Sequence, residues 1–274
     1  MLLTMALACS PISLMISANC YVEAFQLLDL MAILFVLDDW TKRESSRPIA
    51  HSILIGVLVG GCGAVKLTGG IILIFPLAWL LKNAITDPRW GVRAPNYLGA
   101  ILLTSFVVAM PFYGRAWMLS GNPFYPYFAG WFSNDASLLE TSLYHHSIGA
   151  DAFGMRGIVA YVITPVFLAW DDALYDGTFG WQWIVLAGLS AFGLSAPGLK
   201  QLASKKYVSE PPWLWAVAIV LYSFWFFSAQ QARFALPVFV TIALLACSSL
   251  REMKRPNRKV SGLLLVVVTI FCVP

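Results

Sequence analysis

The feature that most constrains this chain is a series of apolar segments that recur along nearly its whole length. Of its 274 residues, 59% are apolar and 12% are charged, whereas a soluble domain has roughly 45–50% apolar and about 25% charged residues. This composition excludes a water-soluble globule, a disordered chain and a nucleic-acid-binding domain. It predicts an all-α, polytopic integral membrane helix bundle. The apolar segments lie at 2–18, 24–38, 52–65, 67–81, 97–114, 158–170, 181–199, 212–229, 234–249 and 260–274.

The positions of Lys and Arg predict how these segments are oriented. Most of the 18 basic residues lie in four short polar breaks, at 39–51, 82–96, 200–211 and 250–260. The remainder lie in breaks on the opposite side, and they are Lys66, Arg115, Arg156 and Arg233. Because cytoplasmic loops carry the excess of Lys and Arg, we expect the four basic breaks to be cytoplasmic.

The chain between residues 115 and 180 therefore starts and ends on the external side. Segment 158–170 is not expected to cross the membrane, and we predict a re-entrant or surface helix within a large external loop region, 113–180. The whole chain, 1–274, would form a single transmembrane domain with about nine crossings. Loops of this length are usually functional.

Glu23 is the first ionisable residue at an external helix end, where charge next to hydrocarbon is costly and therefore indicates function. Gln26 and Asp29 follow at steps of three along one helical ridge. The alternatives are an interfacial Glu at a helix start and an Asp29 that bonds a neighbouring helix.

Lys66 and Arg233 are candidate phosphate contacts. Lys66 lies between two apolar segments in the string GGCGAVKLTGG, and Arg233 starts a late segment in QARFALP. A lysine can hold phosphate as a point charge, and an arginine can grip it with two hydrogen bonds. Snorkelling of Lys66 and interfacial anchoring of Arg233 are the alternatives. Gln231 could bind hydroxyl groups or serve as a polar cap.

The external loop carries the string SGNPFYPYF, with Asn122 and Tyr125, and later His145 and His146. Its prolines favour a rigid turn, and its aromatic rings would also stack on sugars or lie on lipid headgroups. Adjacent histidines do not share a helix face, so we expect a contact in the site in preference to a metal pair. The acidic stretch Asp171, Asp172 and Asp176 is interpreted as a solvated loop. The five cysteines lack CxxC spacing and are interpreted as small buried hydrophobes.

Four strings together resemble the C-type superfamily of polyprenyl-phosphate-dependent glycosyltransferases. The relevant branch holds the dolichyl-phosphate-mannose protein mannosyltransferases and the bacterial aminoarabinose transferases. The strings are ISANCYVEAF, GVLVGGCGAVKLTGG, SGNPFYPYF and QARFALP. They are similar to the family's second-loop acid, its glycine-rich segment, its Gly-Asn-Pro-x-x-Pro loop and its Arg-Tyr-x-x-Pro start of a late span.

The resemblance implies transfer of one hexosyl or pentosyl group from a polyprenyl-phosphate-linked sugar to a lipid, glycan or protein acceptor, with inversion, at the external face of a bacterial inner (plasma) membrane. Glu23 matches the second-loop acid, which orients the acceptor or a divalent metal ion. No cofactor is otherwise implied. Lys66 and Arg233 match basic positions that face the lipid phosphate, and the three residues are expected to share one external vestibule.

Two departures from the family stand out. The family's principal catalytic acid lies upstream of a span that matches 2–18, and Glu23 stands where Asp is commoner. The last apolar segment also stops abruptly at Pro274. We therefore expect a fragment that is inactive alone. A transporter or flippase of lipid-linked intermediates, or a non-catalytic membrane subunit, is the alternative.

Overall fold

The computed structural model describes residues 10–18, 21–43, 47–125, 128–132, 158–193, 212–228 and 230–252. Within these ranges every element is a helix or a turn, and no strand occurs. The all-α prediction is confirmed there. The predicted segment 260–274 and the start of segment 2–18 lie outside the described residues.

The chain divides into two compact units. The first unit contains Met1–Tyr21 and His146–Pro274, and the second unit contains Val22–His145. The α-helices of the described ranges, in chain order, are α1 Pro11–Ala18, α2 Glu23–Arg43, α3 Pro48–Val65, α4 Ile74–Thr86, α5 Pro88–Ser120, α6 Ala129–Phe132, α7 Ile158–Phe167, α8 Asp172–Tyr175, α9 Gln182–Gly193, α10 Pro212–Phe227 and α11 Leu236–Glu252. Two 3₁₀ helices, Leu67–Leu73 and Ala232–Ala235, lead into α4 and α11.

Among the described residues, four helical stretches are long and apolar enough to cross a bilayer. They are Pro48–Val65, Leu67–Thr86, Pro88–Ser120 and Ala232–Ser249. Three other apolar helices have only 10–17 residues, which is shorter than the roughly 20 residues that a core of about 30 Å requires. The length and apolar composition of these four helices therefore indicate a membrane protein. The predicted count of about nine crossings is not confirmed.

Helix α5 differs from the sequence-based expectation at both ends. We expected a segment over 97–114, between a basic break and the external loop, but the helix continues through Pro95 and Pro111 for 33 residues. It starts early because the Asp87 side chain accepts a hydrogen bond from the Arg89 backbone N–H at 2.9 Å, as a helix N-cap does. It ends at Gly121, whose φ of 71° suits a left-handed C-terminal position.

Close backbone contact between α3 and α5 organises the second unit. A Cβ atom added at Gly56 or Gly60 would lie 2.7 Å from a backbone oxygen of α5, so the absence of side chains permits this approach. The Ser105 hydroxyl crosses the interface and donates to the Gly56 carbonyl at 3.1 Å. These contacts between α3 and α5 fix the position of the C-terminal end of α3 within the second unit.

At the end of the second unit where α3 starts, aromatic rings from four helices interlock. Trp40 of α2 packs against Trp79 of α4, against Trp90 and Tyr97 of α5, and against His51 of α3, with ring centroids 4.9–5.6 Å apart. Edge-to-face and tilted pairs of this kind stabilise beyond their buried area. This aromatic cluster anchors one end of the helices whose other end carries Lys66.

Candidate functional site

Glu23 and Lys66, both predicted from the sequence as site residues, form an ion pair in the second unit. The Lys66 Nζ atom donates to Glu23 Oε1 at 2.8 Å. The Glu23 side chain is 5% exposed and that of Lys66 is 16% exposed. The pair joins the first residue of α2 to the residue that follows α3, which are 43 positions apart in sequence.

The helical backbone is interrupted at Lys66, as its glycine-rich surroundings predict. Helix α3 ends at Val65, Lys66 is extended with φ −158° and ψ 134°, and a 3₁₀ helix follows. The Tyr113 hydroxyl of α5 donates to the carbonyl of Gly63 and holds the last turn of α3 in place. A break between two apolar helices thus presents the lysine side chain beside Glu23.

The ridge predicted on α2 faces this break. The amide nitrogen of Gln26 is buried against Gly69, at the place where a Cβ would lie. One turn further, the Cys62 thiol donates to the Asp29 carboxylate at 3.4 Å. Asp29 therefore bonds a neighbouring helix, which is the structural alternative given above, and Cys62 is buried, as expected of a small hydrophobe.

A cavity of about 310 Å³ opens beside the ion pair. It is lined by residues 63–67 around the break, by Phe112, Tyr113 and Ala116 of α5, and by Pro123, Phe124 and Tyr125 of the following turn. Lys66 and Tyr125 thus line one cavity. Tyr113 is a lining residue that the sequence analysis did not single out, since it lies inside an apolar segment.

Asn122 has a structural role in this turn. Its Oδ1 atom accepts from the Phe124 backbone N–H at 2.8 Å, and its carbonyl accepts from the Tyr125 backbone N–H at 3.2 Å. The side chain is buried. Asn122 therefore shapes the turn that presents Phe124 and Tyr125, in agreement with the rigid-turn alternative.

In the first unit, Arg233 lies in a polar and aromatic surrounding of its own. Its guanidinium group donates to Gln231 Oε1 at 2.9 Å and lies 4.6 Å from the ring centre of Tyr21. The Asp176 carboxylate is 3.7 Å from the Arg233 Nη1 atom. Trp225 donates to the Gln231 carbonyl at 2.8 Å, so Gln231 is fixed at both its backbone and its amide.

Tyr21 and Asp176 were missed as neighbours of Arg233. Nothing in the sequence links positions 21, 176 and 233, because the contacts form only on folding. Asp171 caps the short helix α8 through the Leu174 backbone N–H, whereas Asp176 contributes to an ion pair, which the solvated-loop interpretation did not predict. His145 and His146 lie outside the described residues, and the prediction that the three charged residues share one vestibule stays a prediction.

In the part of the chain that the structure describes, no group of three or more His, Cys, Asp or Glu side chains is arranged to hold a metal ion. In the second unit the candidate residues provide an ion pair and aromatic rings, and in the first unit they provide a guanidinium group, an amide and aromatic rings. These groups can bind anions and hydroxyl groups.

A family model with the description Domain of unknown function (DUF8201) matches residues 24–240. This range covers well over half of the sequence. The chain belongs to this family. The shared region contains Lys66, Asn122, Tyr125, Gln231 and Arg233 and begins directly after Glu23. No curated protein and no solved structure matches the chain.

Proposed function

We propose that this family member is a membrane glycosyltransferase that takes its sugar from a polyprenyl-phosphate donor. The observation that carries the proposal is that Lys66, which pairs with Glu23, lines a cavity together with Tyr125. Three of the four strings that resemble the glycosyltransferase superfamily supply these residues, although they are far apart in sequence. Their convergence in one unit supports a shared site.

The chemistry of such a transfer suits a lysine at this place. The acceptor oxygen bonds to the anomeric carbon, and the bond from that carbon to the phosphate oxygen breaks with its electron pair left on the phosphate. A cation beside the phosphate stabilises the charge that develops there. An ammonium group has three N–H donors, so pairing with Glu23 and contact with a phosphate oxygen are compatible.

Glu23 provides the carboxylate that faces the acceptor. A carboxylate within hydrogen-bond reach can orient an acceptor hydroxyl and receive its proton. The Lys66 ammonium group, 2.8 Å away, fixes the position of that carboxylate. Glu23 is thus proposed to orient the acceptor, while Lys66 binds the leaving phosphate.

The aromatic turn supplies the sugar contact. Phe124 packs against Tyr113 and Phe128 at ring separations of 5.9 Å, which gives the cavity a rigid apolar wall. Sugar rings bind such walls through their C–H faces. Because about 310 Å³ is at the small end of ligand sites, the cavity suits a single sugar unit.

Arg233 is proposed to bind phosphate in the first unit. Its guanidinium is oriented by the Gln231 amide and the Tyr21 ring, and a planar guanidinium matches two phosphate oxygens at once. The alternative of a simple interfacial anchor does not explain why a side chain amide fixes its orientation.

The proposal is tested with the full chain reconstituted in liposomes and supplied with radiolabelled polyprenyl-phosphate sugars. We expect Lys66→Ala to lower donor binding at least tenfold, with Lys82→Ala as the matched control. Lys82 is exposed and lies near the C-terminal end of α4. Its replacement by alanine changes the net charge by the same amount. Unchanged donor binding in Lys66→Ala would overturn the proposal. Movement of the bound donor across the liposome bilayer would favour a transporter.

A further inference from the structure

The contact between Arg233 and Asp176 has unusual geometry for an ion pair. The nitrogen–oxygen distance is 3.7 Å, and the Asp176 side chain is 50% exposed, whereas Arg233 is 16% exposed. Charge-assisted hydrogen bonds are normally about 2.7–2.9 Å long. The carboxylate therefore lies beside the guanidinium without a close bond to it.

The backbone holds Asp176 in this place. Asp176 has a φ of 52°, and Gly177 after it has a φ of 125°, so the turn is left-handed at two successive residues, which is uncommon outside glycine. Tyr175 before it is buried and donates to the Thr164 hydroxyl at 3.2 Å. The turn is thus anchored by a buried side chain, and the ion pair is not needed to position the carboxylate.

Arg233, in contrast, is oriented from other directions. Gln231 Oε1 accepts from the Arg233 Nη2 atom at 2.9 Å, and the ring centres of Tyr21 and Phe234 lie 4.6 and 5.2 Å from the central guanidinium carbon. Loss of Asp176 would leave these contacts in place. The guanidinium is thus oriented independently of the Asp176 carboxylate, which lies 3.7 Å away and is half exposed.

We propose that Asp176 is an internal competitor for the anion site of Arg233, and that an incoming phosphate group displaces this carboxylate. The inference rests on the proposed function, because it assumes that Arg233 binds phosphate. A phosphate carries more charge than a carboxylate and can bond two guanidinium nitrogens. Asp176 thus lowers affinity for weaker anions and keeps Arg233 covered until a phosphate arrives.

The test uses the full chain in nanodiscs of zwitterionic lipid, with farnesyl phosphate and inorganic phosphate as separate probes. We expect Asp176→Asn to bind phosphate about twofold more tightly than the wild type, as expected from the loss of one partly exposed charge. Asp171→Asn is the matched control, because it removes the same charge and its amide oxygen can still cap α8. Stronger binding of farnesyl phosphate than of inorganic phosphate identifies a lipid headgroup as the source.

A second measurement does not depend on the donor. Phenylglyoxal modifies exposed arginine side chains, and we expect it to modify Arg233 several-fold faster in Asp176→Asn than in the wild type or in Asp171→Asn. Equal rates, weaker phosphate binding by Asp176→Asn, or an equal gain in Asp171→Asn would overturn the inference while leaving the proposed function intact. If no variant binds either phosphate, the proposed function fails at Arg233, and displacement by phosphate fails with it.

Discussion

The two units carry one basic site residue each, and the two are held in opposite ways. Lys66 makes a short bond of 2.8 Å to a buried carboxylate, whereas Arg233 has its carboxylate at 3.7 Å and half exposed. The position of the Lys66 side chain depends on that carboxylate, since Lys66 lies in the interruption between two helices. Arg233 depends on an amide and an aromatic ring. The same predicted chemistry therefore has two arrangements. In the second unit the ion pair is part of the structure, whereas in the first unit the carboxylate can be exchanged for another anion.

The largest expected effect is on the stability of the second unit. Lys66→Met leaves the buried Glu23 carboxylate without its cation, which costs on the order of 3 kcal/mol. The double variant Glu23→Gln with Lys66→Met should lose less than Lys66→Met alone, because no charge stays buried. Chemical denaturation in detergent micelles measures both.

The same comparison of single and double variants, made with Arg233→Gln and Asp176→Asn, measures the coupling energy of the pair in the first unit. We expect a coupling energy below about 0.5 kcal/mol, because partly exposed pairs contribute little. Equal coupling energies in the two units would show that the two pairs do not differ in kind.

A second prediction concerns the packing behind Lys66. Gly69→Ala places a methyl group against the Gln26 amide and the Cys62 carbonyl, and overpacking of this kind costs about 1–3 kcal/mol. We expect a lower unfolding midpoint and weaker donor binding, since the break moves with this turn. Gly70→Ala is the control, because nothing lies within 4 Å of its added Cβ. If both variants behave alike, close packing at Gly69 does not position Lys66.

Structural features that depend on contacts between residues close in sequence were predictable, whereas those that depend on contacts between distant residues were not. The break at Lys66 was predictable, because glycines flank a charged residue between two apolar segments. The ridge of Glu23, Gln26 and Asp29 follows from helical spacing alone. The placing of Tyr21 over Arg233 was not predictable, since no local pattern relates residues so distant in sequence.

The helix boundaries show a second limit of sequence reasoning. The basic stretch before residue 97 was interpreted as a loop, because charge is excluded from hydrocarbon. A helix that extends beyond the hydrocarbon can carry the same charges, and α5 does so from Pro88. Hydropathy locates the apolar part of a helix, and the N-cap at Asp87 and the C-terminal Gly121 locate its ends.

A third prediction tests whether Arg233 is oriented by its aromatic neighbour. Tyr21→Leu keeps an apolar side chain but removes the ring, and the loss of a cation–π contact costs about 0.5–1 kcal/mol. Tyr21→Phe keeps the ring and should behave as the wild type. The unfolding midpoint and the rate at which phenylglyoxal modifies Arg233 are the measurements. A Tyr21→Phe variant as weak as Tyr21→Leu would assign the effect to the hydroxyl group.

The smallest expected effect comes from an exposed pair that extends the comparison, in which the side chains of Arg89 and Asp87 are 84% and 28% exposed. Hydrogen bonds from the side chain and backbone of Arg89 hold the pKa of Asp87 below its usual range. A carboxyl group whose pKa is lower in the folded state stabilises the fold above its unfolded pKa, which is about 3.9, and this contribution is lost as the pH falls through the folded value. We therefore expect the unfolding midpoint to fall slightly below about pH 4. Asp87→Asn keeps the cap oxygen but cannot titrate, so it should lack this part of the pH dependence. Parallel curves for the wild type and the variant would show that even a bidentate pair, when it is exposed, contributes nothing measurable. This result would sharpen the contrast with the buried Glu23–Lys66 pair.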